Sequence, residues 1–279
     1  MARILSGSEL AGFIKERQAY QVRNLKQEHH IAPKLVIVMT KHAGPVIEKY
    51  VELKSHYAED IGVEFAAISC EESEMIAIIS QLNADESVYG IVVQLPLDDV
   101  SRTEEILAAI APEKDVDGLG EHASFVSATA EAIDWLLAGY NVDLAAKKIA
   151  IVGKGRLVGA PLASMWAGRG YAVQVLDKHT KHSDKVLRKS QIVISGSGVP
   201  RLITTEHIAK DAVVVDAGTA SENGVLVGDV DDGVRDRRDV TVTPKIGGVG
   251  PMTVAVMFDH VIQAALRRAG KLSENSHKI

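Results

Sequence analysis

A lysine stands where an apolar side chain belongs. Ile47, Tyr50, Lys54, Tyr57, Ala58 and Ile61 recur at three- and four-residue spacing, so a helix through them puts all six on one face. That face is apolar or aromatic except at Lys54. Such a lysine either snorkels its ammonium to water or lines a pocket. In a partly desolvated pocket its pKa falls, and the amine becomes usable as an acid or base near neutral pH. Gln94 is the second such residue. It ends the apolar run Gly90-Ile91-Val92-Val93, and open α/β sheets bind ligands beyond the C-terminal ends of their strands. A carboxamide there can donate to, and accept from, a substrate or a lysine; an ordinary polar strand end accounts for it equally well. Lys114-Asp115-Val116-Asp117-Gly118 offers two carboxylates beside a glycine. Asp117 can accept hydrogen bonds from an amino-heterocycle, but the string read alone is an Asp-rich turn.

A different chemistry is written at Gly153-Lys154-Gly155-Arg156-Leu157-Val158-Gly159, which follows the apolar run Ile149-Ala150-Ile151-Val152 and opens a helix containing Pro161 and Leu162. A strand, a glycine turn and a helix N-terminus together suit a pyrophosphate: the backbone can approach the phosphates, and free N–H groups and the helix dipole favour negative charge. The spacing is one residue longer than the usual G-x-G-x-x-G, so the turn alone also fits a structural strand–helix junction. The next strand, Ala172-Val173-Gln174-Val175-Leu176, ends at Asp177. A carboxylate there commonly accepts from adenosine ribose hydroxyls and repels a 2′-phosphate, which favours NAD slightly over NADP; a solvated strand end is the other reading of Asp177. Lys154, Lys178 and His179 lie close in sequence and can offset that repulsion.

The elements that must position these groups alternate. Ser6-Gly7-Ser8-Glu9 has capping-box spacing ahead of a helix with Leu10, Phe13, Ile14, Val22 and Leu25. Strands are expected at residues 35–39, 63–68 and 90–95. Helices are expected at 45–61, stopped by Gly62, then around Met75 to Leu82, and from Ser101 to Pro112. After a helix near 129–137 the rhythm restarts with strands at 148–152, 172–176, 191–195, 212–216 and 240–243, and a last helix over about 253–266. The polar tail after Lys271 is expected to fray. This βαβ order predicts two α/β domains with mostly parallel sheets.

Length and composition agree with two domains. The chain has 279 residues, 46% of them hydrophobic, with a formal net charge of −6 and no basic tract. Neither nucleic acid nor an anionic membrane is an expected partner. The single cysteine, Cys70, permits no intrachain disulfide. It reads as a small buried hydrophobe in a reducing compartment. The first residues lack the apolar core of a signal peptide, and no apolar run approaches the ~20 residues of a membrane span. A cytoplasmic location follows as the expectation. His29-His30 and the pair His179 and His182 read as solvated loop residues, and no metal is expected.

The motifs occur in a recognisable order. Tyr50-Val51-Glu52-Leu53-Lys54, Gly90 to Leu97 with its Q-L-P-L end, and Pro112 to Gly118 come first. The glycine loop with Val158-Gly159-Ala160-Pro161, then Gly228-Asp229-Val230-Asp231, and finally Gly247-Gly248-Val249-Gly250-Pro251-Met252-Thr253 follow. Over almost its full length the chain resembles the bifunctional methylenetetrahydrofolate dehydrogenase/methenyltetrahydrofolate cyclohydrolase family. The resemblance implies a folate-binding catalytic domain of residues 1–119 plus the C-terminal helix 253–279, and a Rossmann-like NAD(P)-binding domain of residues 120–252. It implies folate in a cleft between them and a homodimer through the nucleotide domain. It gives Lys54 the acid/base role of the cyclohydrolase step, Tyr50 stacking on the folate, Gln94 tuning of the lysine and Asp117 the pterin. The cofactor candidates are Gly153, Lys154, Gly155, Gly159, Asp177 and Thr219. The implied reactions are oxidation of 5,10-methylenetetrahydrofolate with NAD or NADP, the latter the family's usual choice, then hydrolysis of the methenyl product to 10-formyltetrahydrofolate.

The chain also departs from the family's pattern. Thr40 to Ile47 replaces a G-D-x-P-A-S segment, with Ile47 at the serine. Ser127-Ala128-Thr129-Ala130 replaces P-C-T-P. Lys154 and Gly155 replace an arginine and a serine, Asp177-Lys178 a His-Ser pair, and Lys245-Ile246 a V-P. Tyr50, Lys54, Gln94 and Asp117 are kept. The competing readings are a nicotinamide-dependent dehydrogenase for another substrate and a non-catalytic folate- or nucleotide-binding paralogue.

Overall fold

The computed structural model describes residues 2–222 and 225–276. In chain order the elements are β1 (Arg3–Ile4), α1 (Gly7–Glu28), β2 (Lys34–Thr40), α2 (Pro45–Ile61), β3 (Glu64–Cys70), α3 (Met75–Ala84), β4 (Gly90–Val93), α4 (Thr103–Ala108) and α5 (Ala128–Gly139). Then come β5 (Ile149–Val152), α6 (Gly159–Gly168), β6 (Val173–Leu176), α7 (Ser183–Leu187), β7 (Ile192–Ser195), β8 (Val213–Asp216), β9 (Ala220–Glu222), β10 (Val225–Val227), α8 (Asp232–Asp236), β11 (Thr241–Val242) and α9 (Val249–Ser276). The chain forms two compact units, one of Met1–Ala11 with Thr129–Thr253 and one of Gly12–Ala128 with Val254–Ile279.

The unit containing Lys54 is built on a parallel sheet of order β3-β2-β4. β2 is central, and Leu35, Val36, Ile37 and Val38 are all buried. That explains its unbroken apolar run: a strand covered on both faces has no polar side to alternate with. Met75 and Ile79 of α3 and Ile106 and Leu107 of α4 cover it, each such side chain contributing about 1.5–3 kcal/mol by leaving water. α2 begins with Pro45, whose fixed φ suits a first helical turn, and stops at Gly62 with φ +78°. The Val63 amide donates back to Ala58 O at 2.9 Å, closing the last turn. The C-terminal helix joins this unit. Tyr57 stacks on Phe258 with centroids 5.2 Å apart. Gln18 donates to Ala255 O and accepts from the Tyr57 hydroxyl, both at 2.8 Å.

The other unit carries a six-stranded sheet of order β1-β11-β8-β7-β5-β6, parallel throughout. Val152, Leu176, Val193, Val214, Val234 and Val242 form its core. β5 pairs with β6 on one side and β7 on the other, so the chain crosses back over β5 between β6 and β7, and that reversal of strand order is where open α/β sheets bind ligands.

Several sequence expectations are corrected. The domain boundary at the N-terminus moves: residues 1–11 belong with the six-stranded sheet, because Arg3 and Ile4 pair with Thr241 and Val242. The remaining junctions fall at residues 128/129 and 253/254. The helix expected from Ser101 to Pro112 is short, with a single tight turn at Val100–Arg102 leading into α4. The last helix runs well past Leu266, to Ser276, and residues 277–279 of the expected frayed tail lie outside the described residues. An apolar stretch long enough to cross a membrane does exist, Val249–Gly270 of α9, but 61% of its window is buried inside the protein. Its apolar residues are core residues: Met252, Ala255, Val256, Phe258, Val261 and Ile262 are all buried.

The glycine turn after β5 is tightly packed. Gly153 has φ +99°, and a Cβ on Gly159 would lie 2.0 Å from Gly153 O. Gly159→Ala is therefore expected to lower stability by about 1–3 kcal/mol, read as a lower urea midpoint at unchanged slope. An unchanged midpoint would mean the turn is not packed this way.

Candidate active site

Four side chains of one unit define the candidate site. Burial along the face of α2 is graded: Tyr57, Ala58 and Ile61 are buried, while Ile47, Tyr50 and Lys54 are half-buried. Lys54 therefore sits where the helix leaves the core. It does not snorkel to water, because its Nζ donates to Gln94 Oε1 at 2.7 Å. Gln94 follows the last residue of β4, and its Nε2 donates to Leu95 O at 3.2 Å, which leaves the carboxamide oxygen directed at the lysine. Burial pushes the Lys54 pKa below the ordinary lysine value, and the Asp117 carboxylate pulls it partly back. Burial in turn raises the Asp117 pKa, opposed first by Lys54 and then by His260. Tyr50 is raised by burial as well.

The loop bearing Asp117 shows how its two aspartates divide the work. Asp115 is buried and accepts three amides: Gly118 N at 2.9 Å, Leu119 N at 3.1 Å and Gly120 N at 2.7 Å. It is the turn-former that the bland reading of this string anticipated. Its neighbour two residues on is left to face Lys54. Gly118 has φ +67°, and a Cβ there would lie 2.3 Å from Val126 O, so the loop folds only with glycine at this position. The sequence left open which of the two aspartates builds the turn, and it gave no sign of His260. The His260 Nδ1 lies 2.8 Å from Val116 O. No sequence signal pairs a histidine with a carbonyl 144 residues away.

In the other unit, Gly153, Lys154, Gly155 and Gly159 come together in the turn between β5 and α6. Gly153 N donates to Leu176 O at 2.8 Å, which sets the end of β6, and so Asp177, beside that turn. The Asp177 Oδ1 accepts from His179 N at 3.0 Å and the Thr180 hydroxyl at 2.9 Å. The Thr180 hydroxyl and then the His179 amide hold its pKa below the usual carboxylate value. Thr219 follows β8 and is exposed; β7 separates its strand from the glycine turn. A Cβ on Gly155 would meet nothing nearer than Gly196 O at 3.9 Å, so the middle of the turn is open for a phosphate to approach. Among the described residues no group of three or more His, Cys, Asp or Glu side chains could hold a metal ion.

A parallel six-stranded sheet with a glycine turn at its switch point, together with a separate unit presenting a half-buried lysine, defines a two-unit nicotinamide-dinucleotide enzyme. Two family models match: "Tetrahydrofolate dehydrogenase/cyclohydrolase, catalytic domain" over residues 5–117 and "Tetrahydrofolate dehydrogenase/cyclohydrolase, NAD(P)-binding domain" over residues 127–269. A curated relative, the bifunctional protein FolD of Exiguobacterium sibiricum, is 34% identical over 280 residues, covering 95% of this chain and 100% of its own. The bifunctional FolD methylenetetrahydrofolate dehydrogenase/cyclohydrolase of Campylobacter jejuni superposes with a TM-score of 0.89 at 31% identity, covering 96% of this chain and 100% of its own. The Trypanosoma brucei enzyme, solved with NADP and an inhibitor, gives 0.88 at 28% identity, over 96% of this chain and 98% of its own. The chain belongs to the tetrahydrofolate dehydrogenase/cyclohydrolase family.

The electrostatics make a direct prediction. By 13C NMR of the lysine side chains, Lys54 is expected to titrate below the ordinary 10.5. Asp117→Asn removes the charge that raises it, so the titration should move lower still. A Lys54 titration at the ordinary value, or one that rises in the variant, would overturn this account.

Proposed function

We propose that the chain oxidises 5,10-methylenetetrahydrofolate to the 5,10-methenyl compound with NAD(P), and hydrolyses that product to 10-formyltetrahydrofolate. The observation that carries this reading is the half-buried Lys54 amine held by Gln94 and faced by Asp117, inside the unit matched by the family's catalytic domain. In this reading Tyr50 stacks on the folate and the Asp117 carboxylate accepts from pterin N–H groups. Lys54, its pKa lowered by burial, takes a proton from the water that attacks the methenyl carbon. The carbon–nitrogen bond then breaks as the new hydroxyl gives up its proton and the departing nitrogen takes one back from the Lys54 ammonium, which leaves the formyl group on the other nitrogen. Gln94 keeps the amine aimed during both steps by accepting from Nζ. The open glycine turn fits a nicotinamide dinucleotide, which when bound supplies the hydride acceptor. Gly153, Lys154, Gly155 and Gly159 would hold its pyrophosphate, Asp177 its adenosine ribose, and Thr219 the part reaching β8.

The Asp177 carboxylate, kept ionised at the end of β6, favours NAD over NADP by repelling a 2′-phosphate. Lys154, Lys178 and His179 act against it. A homodimer through the nucleotide-binding unit and a cytoplasmic location complete the proposal; the dimer rests on the family, and β6 ends the strand order with one side available for a partner.

Methenyl formation from 5,10-methylenetetrahydrofolate, followed by absorbance with NAD and NADP in parallel, tests the assignment. Turnover is expected, faster with NAD, and Asp177→Ser should shift preference towards NADP. Turnover with NADP alone would keep the folate chemistry and sink the cofactor reading. Lys54→Met should cut hydrolysis of added methenyltetrahydrofolate by about 10²-fold or more, the usual contribution of a positioned acid/base. Absence of both activities in the wild type would instead favour a binding protein.

A further inference from the structure

We infer that His260 is a positioning residue for Asp117, and through it for the pterin end of the folate. The inference rests on the reading that Asp117 holds the pterin. His260 lies on α9 and is only 2% exposed. A carbonyl oxygen only accepts, so the 2.8 Å contact between His260 Nδ1 and Val116 O makes Nδ1 the protonated nitrogen. The ring is also stacked on Phe125, with centroids 4.5 Å apart and planes 20° from parallel. The Arg267 guanidinium lies over that Phe125 ring at 4.7 Å. One hydrogen bond and one stacked face thus fix the imidazole in place.

What the imidazole holds is the peptide that joins Val116 to Asp117. The plane of that peptide sets the direction in which Asp117 leaves the backbone. The loop's other fastenings hold the residues on either side of it: before it, Val116 N donates to Lys114 O at 3.0 Å and Ile91 N to the same carbonyl at 2.8 Å. The Asp117 carbonyl accepts Ala128 N at 2.9 Å, and Asp115 gathers the amides of Gly118, Leu119 and Gly120. None of these hydrogen bonds is to the Val116 carbonyl itself, and that is the group His260 holds from another element. Its location within electrostatic reach of the Asp117 carboxyl agrees with this. A purely space-filling residue stacked on Phe125 at this position needs no N–H.

The test measures the folate KM and kcat of methenyl hydrolysis, and the cofactor KM of the dehydrogenase, in His260→Phe, His260→Gln, Asp117→Asn and the double variants. His260→Phe keeps the stacked ring and removes the donor. It should raise the folate KM by about tenfold, the scale of one lost buried hydrogen bond, with the cofactor KM unchanged. His260→Gln, which retains a side-chain N–H, should recover part of the loss. In the Asp117→Asn background the same change at His260 should add less than about twofold, because the group it positions is already impaired. A His260→Phe enzyme with wild-type folate KM, beside an Asp117→Asn enzyme with a raised one, overturns the inference and leaves the reading of Asp117 intact. An Asp117→Asn enzyme with wild-type folate KM overturns both. Should His260→Phe fail to fold, His260→Gln carries the test: full additivity with Asp117→Asn overturns the inference, and coupling supports it.

Discussion

A lysine amine drawn out of water is the constraint around which the catalytic unit is arranged. Removing an ammonium from solvent is costly, and the protein meets that cost partly by lowering the pKa and partly by supplying an acceptor and an opposite charge. The acceptor, Gln94, comes from the end of β4, and the charge, Asp117, from the loop that follows α4. Each must be rigid for the arrangement to persist, and each is. Gln94 follows a strand whose four residues are all buried. Asp117 rides on a loop fastened by Asp115, Ala128 and His260. Lys54 itself is borne by a helix locked at its far end through Tyr57, Gln18 and Phe258. The same burial that destabilises the ammonium makes the neutral amine available, so the energetic burden and the chemistry share one cause.

The dinucleotide unit solves a different problem by different means. Its turn relies on backbone approach, and its loops at the C-terminal ends of the strands are held by buried carboxylates. Asp229 Oδ2 accepts from the Ser195 and Ser197 hydroxyls at 2.7 and 2.8 Å and from the Ser197 amide. Asp216 accepts the amides of Gly218, Asp229 and Val230 and pairs with Arg235 at 2.7 Å. These fastenings account for the Gly228-Asp229-Val230-Asp231 string. Gly218 and Gly228 are glycine for a related reason: a Cβ on either would lie 2.1 Å from an oxygen of Asp229 or Asp216. The scaffold of these loops is thus kept, while Lys154 and Gly155 in the glycine turn and Asp177 at the end of β6 are where the chain leaves the family pattern.

Local physics was legible from the residues alone. The bounds of α2, Pro45 to Ile61 with a left-handed glycine after it, follow from capping and φ restrictions that act within a few residues. The cores of β2, β5, β7 and β8 announce themselves by short apolar runs, because a parallel strand between helix layers has no polar face. The anomaly of Lys54 was visible too, since a helix face is a local periodicity. What could not be read is what depends on distant pairing. β1 is two residues long, and its partner lies more than 230 residues away, so no periodicity betrays it and the N-terminal segment was assigned to the wrong unit. The hairpin of β9 and β10 is similarly short.

The sequence by itself determined most of the longer elements, their order, the family and which side chains were chemically out of place, because these rest on interactions within one helix turn, one strand or one motif. Only the tertiary structure decided that Lys54 is held inward by Gln94 and not drawn out to water, that Asp115 builds the turn while Asp117 faces the amine, and that His260 on the last helix secures the loop between them. Each of those outcomes is set by desolvation and hydrogen-bond satisfaction among groups from separate elements, and burial comes into existence only when the elements pack.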